Sequence, residues 1–204
     1  MKKQSGTTTV ALIGRDCVVL AAESKATISY LVASKEAKKI YPITNRIAAT
    51  IAGSVGDAQT LMRILKAEAK LYELENGEVT VNAMATLLAN ILQSSRIFPY
   101  ITEVILGGVD SKGRHIYDVD PLGGVLEERK FIASGSGSPI ALGVLEELYE
   151  EGMEREEVVE VAIKAIKAAV ERDVYSGGRR VELAVIDENG IEPRTIELEL
   201  SLKK

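Results

Sequence analysis

RIAATIAGSVGDAQTLMRILKAEAKLYELEN, residues 46–76, changes its hydrophobic period part-way, and that change decides the fold. Residues 46–52 read as a short buried strand. From there Leu61, Leu65, Ala69 and Tyr72 fall three or four residues apart, the stripe of an amphipathic helix. This helix is predicted to start within residues 54–57 and to be broken by Gly77. Working upstream, residues 7–13 and 18–23 are β-rich runs joined across Gly14-Arg15-Asp16, a hairpin-type turn, and a further short strand covers 38–42. Downstream, a second helix carries Val81, Met84, Ala85, Leu88 and Leu92 on one face and ends before Pro99.

The second half repeats this order. Strands are predicted at 102–107, 114–118, 124–127 and 130–134. Ser138-Pro139 reads as a helix start, a capping hydroxyl followed by proline at the first helical position, with Gly152 as its end. A further helix covers 156–173, with Val159, Ile163, Ile166 and Val170 as its core face, and strands at 181–187 and 194–199 close the chain. Strands, two helices, strands, two helices, strands is not the strict alternation of a doubly wound parallel sheet. It predicts an α+β fold, two antiparallel sheets face to face with a helix pair outside each, four layers in one domain.

Composition narrows the function. The chain has 204 residues, 46% of them apolar, enough for one sizeable core. Its net charge of −5 comes from 30 acids and 25 bases interspersed along it, with no basic stripe for nucleic acid. No apolar run approaches the roughly 18–20 residues of a membrane span. The apolar stretch after Met1-Lys2-Lys3 is interrupted by threonines and stops at Arg15-Asp16, too short for a signal peptide. An intracellular, cytoplasmic protein is expected. One cysteine, Cys17, and one histidine, His115, exclude a disulfide framework and the usual zinc or haem ligand sets, so no metal and no cofactor are expected. His115 lies in an alternating strand with no Gly-x-Ser-x-Gly elbow, which makes it an ordinary strand residue rather than a triad member.

Two features remain. The run Lys35-Glu36-Ala37-Lys38-Lys39 has the mixed charge of a solvated surface. Neighbours on a strand point to opposite faces, however, so either one lysine turns inward and needs an acid, for which Glu23 is the candidate, or both are wet on an edge. The other feature is Gly6-Thr7-Thr8-Thr9-Val10. Taken alone it is good strand sequence. A threonine at a chain terminus, however, carries its own base: the α-amino group titrates at about 7.7–8.0 and can take the hydroxyl proton.

Together with these segments, YLVASKEAKKIY (residues 30–41), IAGSVGDAQ (51–59), Asp120-Pro121-Leu122-Gly123-Gly124, Gly135-Ser136-Gly137-Ser138-Pro139 and Arg172-Asp173-Val174-Tyr175-Ser176-Gly177-Gly178 resemble the archaeal-type proteasome core-particle β subunit, an N-terminal nucleophile hydrolase. The resemblance runs from Gly6 to about Asp187. It implies an αββα sandwich and a threonine endopeptidase that cleaves unfolded polypeptides. Residues 1–6 would be a propeptide removed by self-cleavage between Gly6 and Thr7, and residues 7–204 a single peptidase domain. Glycine before the nucleophile would permit a sharp, left-handed backbone. The resemblance gives Thr7 as nucleophile, Lys39 as its electrostatic neighbour, Glu23 as the residue orienting Lys39, and the Gly53 N–H as oxyanion donor. Ser136, Asp173 and Ser176 would support the Thr7 amine.

Substrate would add as a strand along Thr27 and Gly53, its side chain entering a pocket lined by Ala26, Ala37, Ile51 and Val55 and lacking charge at its base. Cleavage after hydrophobic residues follows. Implied partners are proteasome α subunits, other β subunits in seven-membered rings, an ATP-dependent unfoldase cap and protein substrates. The alternative is a structural or regulatory β paralogue, poorly processed in the same ring; a bacterial-type relative fits the 172–178 segment and the length less well. Glu23 stands where many relatives carry Asp, and Val174-Tyr175 where smaller residues are common. Cys17 and Glu103 fall at variable positions.

Overall fold

The computed structural model describes residues 6–28 and 31–198. β1 (Thr9–Ile13) and β2 (Val18–Glu23) form the expected hairpin, in register from Thr9 opposite Ala22 to Ile13 opposite Val18. With β10 (Phe131–Ser134), β11 (Arg180–Asp187) and β12 (Gly190–Glu197) they make one five-stranded sheet, ordered β10-β1-β2-β11-β12. A second sheet runs β5-β6-β7-β8-β9, from β5 (Ile40–Pro42) and β6 (Ile47–Gly53) to β7 (Thr102–Asp110), β8 (Gly113–Val119) and β9 (Val125–Glu128). Every pairing in both sheets is antiparallel.

Alternation along the strands builds the four layers. On β1, Val10 and Leu12 face a helix pair while Ala11 faces the other sheet; on β2, Val19 and Ala21 alternate in the same way with Val18, Leu20 and Ala22. On β7, Ile105 joins the core between the sheets, whereas Val104 and Leu106 turn to the other helix pair. α1 (Val55–Asn76) and α2 (Val81–Ser94) cover that side with Leu61, Leu65, Leu88 and Leu92. α3 (Ser138–Leu148) and α4 (Arg155–Arg172) cover the first sheet with Ala141, Leu145, Ala162 and Ile166. Each fully buried leucine or isoleucine contributes about 1.5–3 kcal/mol relative to exposure. The αββα stack therefore rests on strands that are apolar on both faces.

Some boundaries differ from expectation. A separate hairpin, β3 (Ala26–Ile28) with β4 (Leu31–Ser34), has no counterpart in the sequence reading, because Ile28, Leu31 and Val32 are exposed and leave no buried alternation to detect. The α3 cap is Gly137, without a side-chain bond, and Ser138 is already helical. The helix also stops at Leu148, capped by Tyr149, so Gly152 lies in the turn beyond it. On α4 the buried face is Val158, Val159, Val161, Ala162, Ala165, Ile166 and Ala169; Ile163 and Val170 flank it half-buried. The start of α4 is held by a reciprocal capping box between Glu154 and Glu157. The last strand ends at Glu197, and Glu199 lies outside the described residues.

Register gathers the singled-out residues at one end of the sandwich. Thr9 sits opposite Ala22, which puts Thr7 and Thr8 beside Glu23 at the end of β2. Lys39 immediately precedes β5, and its carbonyl accepts from Ile51 N at 3.1 Å, two residues before β6 ends at Gly53. Thr50 Oγ1 donates to Thr9 Oγ1 at 3.1 Å, a buried bond from one sheet to the other at the same level.

Candidate active site

Of the adjacent lysines, Lys38 is exposed and Lys39 is buried. The inward lysine finds its acid: Lys39 Nζ donates to Glu23 Oε1, and Glu23 is fully buried. Thr8 N, at 3.3 Å, shares that Oε1; Lys25 N at 2.6 Å and Gly177 N at 3.1 Å donate to Oε2. Burial is the largest influence on both partners, pushing the Glu23 carboxyl up and the Lys39 ammonium down, while the charge of each opposes that trend in the other. Three backbone donors and an ammonium form a set that only an ionised carboxylate accepts in full. The pair is therefore an ion pair, with Lys39 below its ordinary range.

The same ammonium donates to Thr7 Oγ1 at 2.9 Å, and Thr7 Oγ1 donates in turn to the carbonyl oxygen of Gly6 at 2.8 Å. Thr7 N donates to Ser136 Oγ at 3.2 Å, and Ser136 Oγ donates to Asp173 Oδ2 at 2.6 Å. Ser176 Oγ reaches the same carboxylate oxygen at 2.6 Å and lies 2.6 Å from Thr8 Oγ1. Thr7, Glu23, Lys39, Ser136, Asp173 and Ser176 are thus one hydrogen-bonded network, drawn from residues as far as 169 positions apart. Gly53 lines the same cavity as Gly6 and Thr7. Its φ of 127° and a position where a Cβ would meet Ile101 O at 2.3 Å leave room for glycine alone.

The proteasome subunit family model matches residues 3–186. The chain belongs to that family. It is 53% identical over 194 residues to the proteasome subunit beta of Methanocaldococcus fervens, covering 94% of this chain and 86% of the relative. It is 48% identical over 200 residues to that of Ferroglobus placidus (98% and 95% covered), and 51% over 177 residues to that of Archaeoglobus fulgidus (86% and 83% covered). These likenesses place it with the proteolytic β subunits of the core particle.

Proteolysis needs a place for a peptide side chain, and a cavity of about 290 Å³ opens beside Thr7. Ala26, Thr27, Ala37, Ile51, Gly53 and Val55, all singled out from sequence, line it. Tyr41, Ala58 and Gln59 line it too, which the sequence reading did not include. Its cations are already engaged or wet: Lys39 on Glu23, Lys25 Nζ on Val174 O at 2.8 Å, and Lys38 in solvent.

Two further residues support this end of the molecule without a sequence signal. Ser24, fully buried, donates to Lys35 O at 2.8 Å and accepts from Arg179 N and Arg180 N at 3.1 and 3.2 Å, tying three segments beneath Glu23. Glu103 on β7 accepts from Ser134 Oγ at 2.6 Å and from Gly135 N at 3.3 Å, holding the loop that presents Ser136. Its sequence position carries no signal because its partners belong to the opposite sheet.

Other motifs fall away from the site. Asp120-Pro121-Leu122-Gly123-Gly124 is a turn closed by Asp120 Oδ1, which accepts from Leu122 N and Gly124 N at 2.7 and 3.0 Å. His115, in β8, pairs with Glu127 at 2.8 Å. Burial pushes the Cys17 thiol up to about 11, which removes it as a competing nucleophile. Among the described residues no group of His, Cys, Asp and Glu is arranged to hold a metal, and no helix is long and apolar enough to cross a membrane. The Gly6 backbone dihedral depends on Ser5, so its expected left-handed form lies outside the described residues, as does Tyr30.

Proposed function

We propose that the chain is a threonine-type endopeptidase, with Thr7 as nucleophile, that activates itself by cutting the Gly6–Thr7 bond. The observation that carries this reading is the placement of Thr7 Oγ1, which lies between the Lys39 ammonium at 2.9 Å and the carbonyl oxygen of the preceding residue at 2.8 Å. Oγ1 attacks the Gly6 carbonyl carbon and loses its proton. The C–N bond then breaks as Thr7 N gains one, leaving Gly6 as an ester on Oγ1. Water hydrolyses the ester, releasing residues 1–6 with a terminal carboxylate and leaving a free Thr7 amine. Until then Thr7 N is an amide and no base.

In the mature form the amine takes the hydroxyl proton as Oγ1 attacks a substrate peptide; α-amino groups ordinarily titrate at about 7.7–8.0. Ser136, Asp173 and Ser176 orient that amine, and Lys39, oriented by Glu23, favours the ionising hydroxyl. The Gly53 N–H receives the oxyanion. Thr27 and Gly53 hold the substrate backbone as an added strand. Ala26, Ala37, Ile51 and Val55 favour a hydrophobic side chain before the cut. Residues 7–204 form the mature peptidase domain. It works in the cytoplasm, in seven-membered rings with other β subunits, capped by α subunits and fed unfolded chains by an ATP-dependent unfoldase.

Intact-mass measurement after assembly with α subunits tests this reading. Loss of residues 1–6 is expected. A persistent full-length chain would contradict it and leave a structural or regulatory β paralogue as the alternative.

A further inference from the structure

The peptide to be cut is gripped on a side away from the substrate cavity. A Cβ built on Gly6 would lie 1.9 Å from Tyr175 Cβ, 2.7 Å from Tyr175 Cγ and 2.5 Å from Ser136 Oγ. The Tyr175 side chain and the Ser136 hydroxyl together therefore fill the space that a side chain at position 6 would need. Its carbonyl is fixed separately, by Thr7 Oγ1 at 2.8 Å. Tyr175 is itself held on both flanks. Its N–H donates to Asp173 Oδ1 at 3.3 Å, Ser176 N donates to Asp173 O at 3.2 Å, and the Val174 carbonyl receives Lys25 Nζ at 2.8 Å. Tyr175 is not among the residues lining the cavity that holds Ala26, Ile51 and Val55.

We propose that Tyr175 is a positioning residue for self-cleavage, forming with Ser136 a clasp that admits only glycine at position 6 and holds its carbonyl in reach of Thr7 Oγ1. The inference rests on the proposed cutting of the Gly6–Thr7 bond. Once residues 1–6 have left, the clasp has nothing to hold, so the Tyr175 side chain governs maturation and not turnover. Selection of the scissile residue in the precursor and of the substrate side chain in the mature enzyme then belong to different walls of one site. The first is steric exclusion by Tyr175 and Ser136. The second is apolar filling of the cavity.

The test separates the two reactions. Wild type, Tyr175→Ala (which keeps Cβ) and Tyr175→Gly (which removes the contact) are each assembled with α subunits, and processing is followed by intact mass. The same variants are also made with Thr7 already N-terminal, released from a fusion by an external protease, and assayed on a peptide with a hydrophobic residue before the cut. Tyr175→Gly should slow processing about tenfold or more, Tyr175→Ala less, while turnover of the pre-cut forms stays within about twofold. Gly6→Ala should stall in the wild-type background and recover in part with Tyr175→Gly. Wild-type processing rates in Tyr175→Gly, or equal losses in processing and pre-cut turnover, would overturn the clasp. Failure of the double variant to recover would place the exclusion on Ser136 alone. A wild-type chain that never loses residues 1–6 would instead overturn the self-cleavage reading, and the clasp with it.

Discussion

The two ends of the β2–β11 ladder each carry an ion pair. Glu23 lies opposite Val181 at one end and Val18 opposite Ile186 near the other, roughly 17 Å away at about 3.3 Å per residue. At the far end Asp187 pairs with Arg155, which also reaches Glu192 at 3.5 Å and Asp16 at 4.0 Å. Those side chains are 13% and 28% exposed, so water shares the load and Asp187 is held by its arginine below the usual carboxylate range. At the near end Lys39 and Glu23 are 8% and 0% exposed, and burial works against both charges. Three backbone N–H groups and a threonine hydroxyl complete that pair. The same chemistry serves as a surface staple at one end. At the other it is a costly charge kept against the Thr7 hydroxyl.

Substitutions at the two ends should therefore behave differently. Lys39→Met is expected to leave a folded chain, because the backbone donors to Glu23 remain, but to lower peptide hydrolysis by about a hundredfold or more. Circular dichroism with a peptidase assay checks both parts; near-wild-type turnover would reduce Lys39 to a structural role. Glu103→Ala, which frees the Gly135–Ser136 loop, should cost about tenfold in kcat with little change in KM. Glu103→Gln should restore it, since an amide oxygen still accepts from Gly135 N. Rescue failure would show that charge, not loop position, is what Glu103 supplies.

The smallest effect belongs to the far end. Asp187→Asn should lower stability by about 1 kcal/mol or less at neutral pH and leave turnover unchanged. Because the folded-state carboxyl is held below its ordinary 3.8, the ionised pair contributes above that pH and its contribution fades as pH falls through the lower value. Urea midpoints of wild type and variant should converge in acid. A gap that widens there, or lost activity, would mean the two ends are coupled.

What the sequence made legible follows from where each element is buried. Leu61, Leu65 and Ala69 betray α1 because a single face meets a sheet, and the apolar runs of β1 and β2 betray strands packed on both sides. The β3–β4 hairpin is hidden because Ile28, Leu31 and Val32 are exposed and leave no buried alternation to read. At the site, adjacency of Lys38 and Lys39 on a predicted strand implies that one charge can turn inward, and Glu23 at the end of β2 is the acid it meets. Ser136, Asp173 and Ser176 were reachable only through resemblance, since hydroxyls and a carboxylate spread over forty residues carry no period. Glu103 acts through contacts made only when the sheets stack, and Ser24 through partners brought to it from positions 35, 179 and 180, so spacing holds no trace of either.

The central claim, that the Thr7 hydroxyl is the attacking group, is tested most directly by acylation mapping. Assembled, processed particles treated with a peptide-linked acylating β-lactone are digested and sequenced by mass spectrometry. The account predicts a single ester on Thr7 Oγ1, with label and peptide hydrolysis both absent in Thr7→Ala. Label on another residue, or hydrolysis that survives in Thr7→Ala, would contradict it.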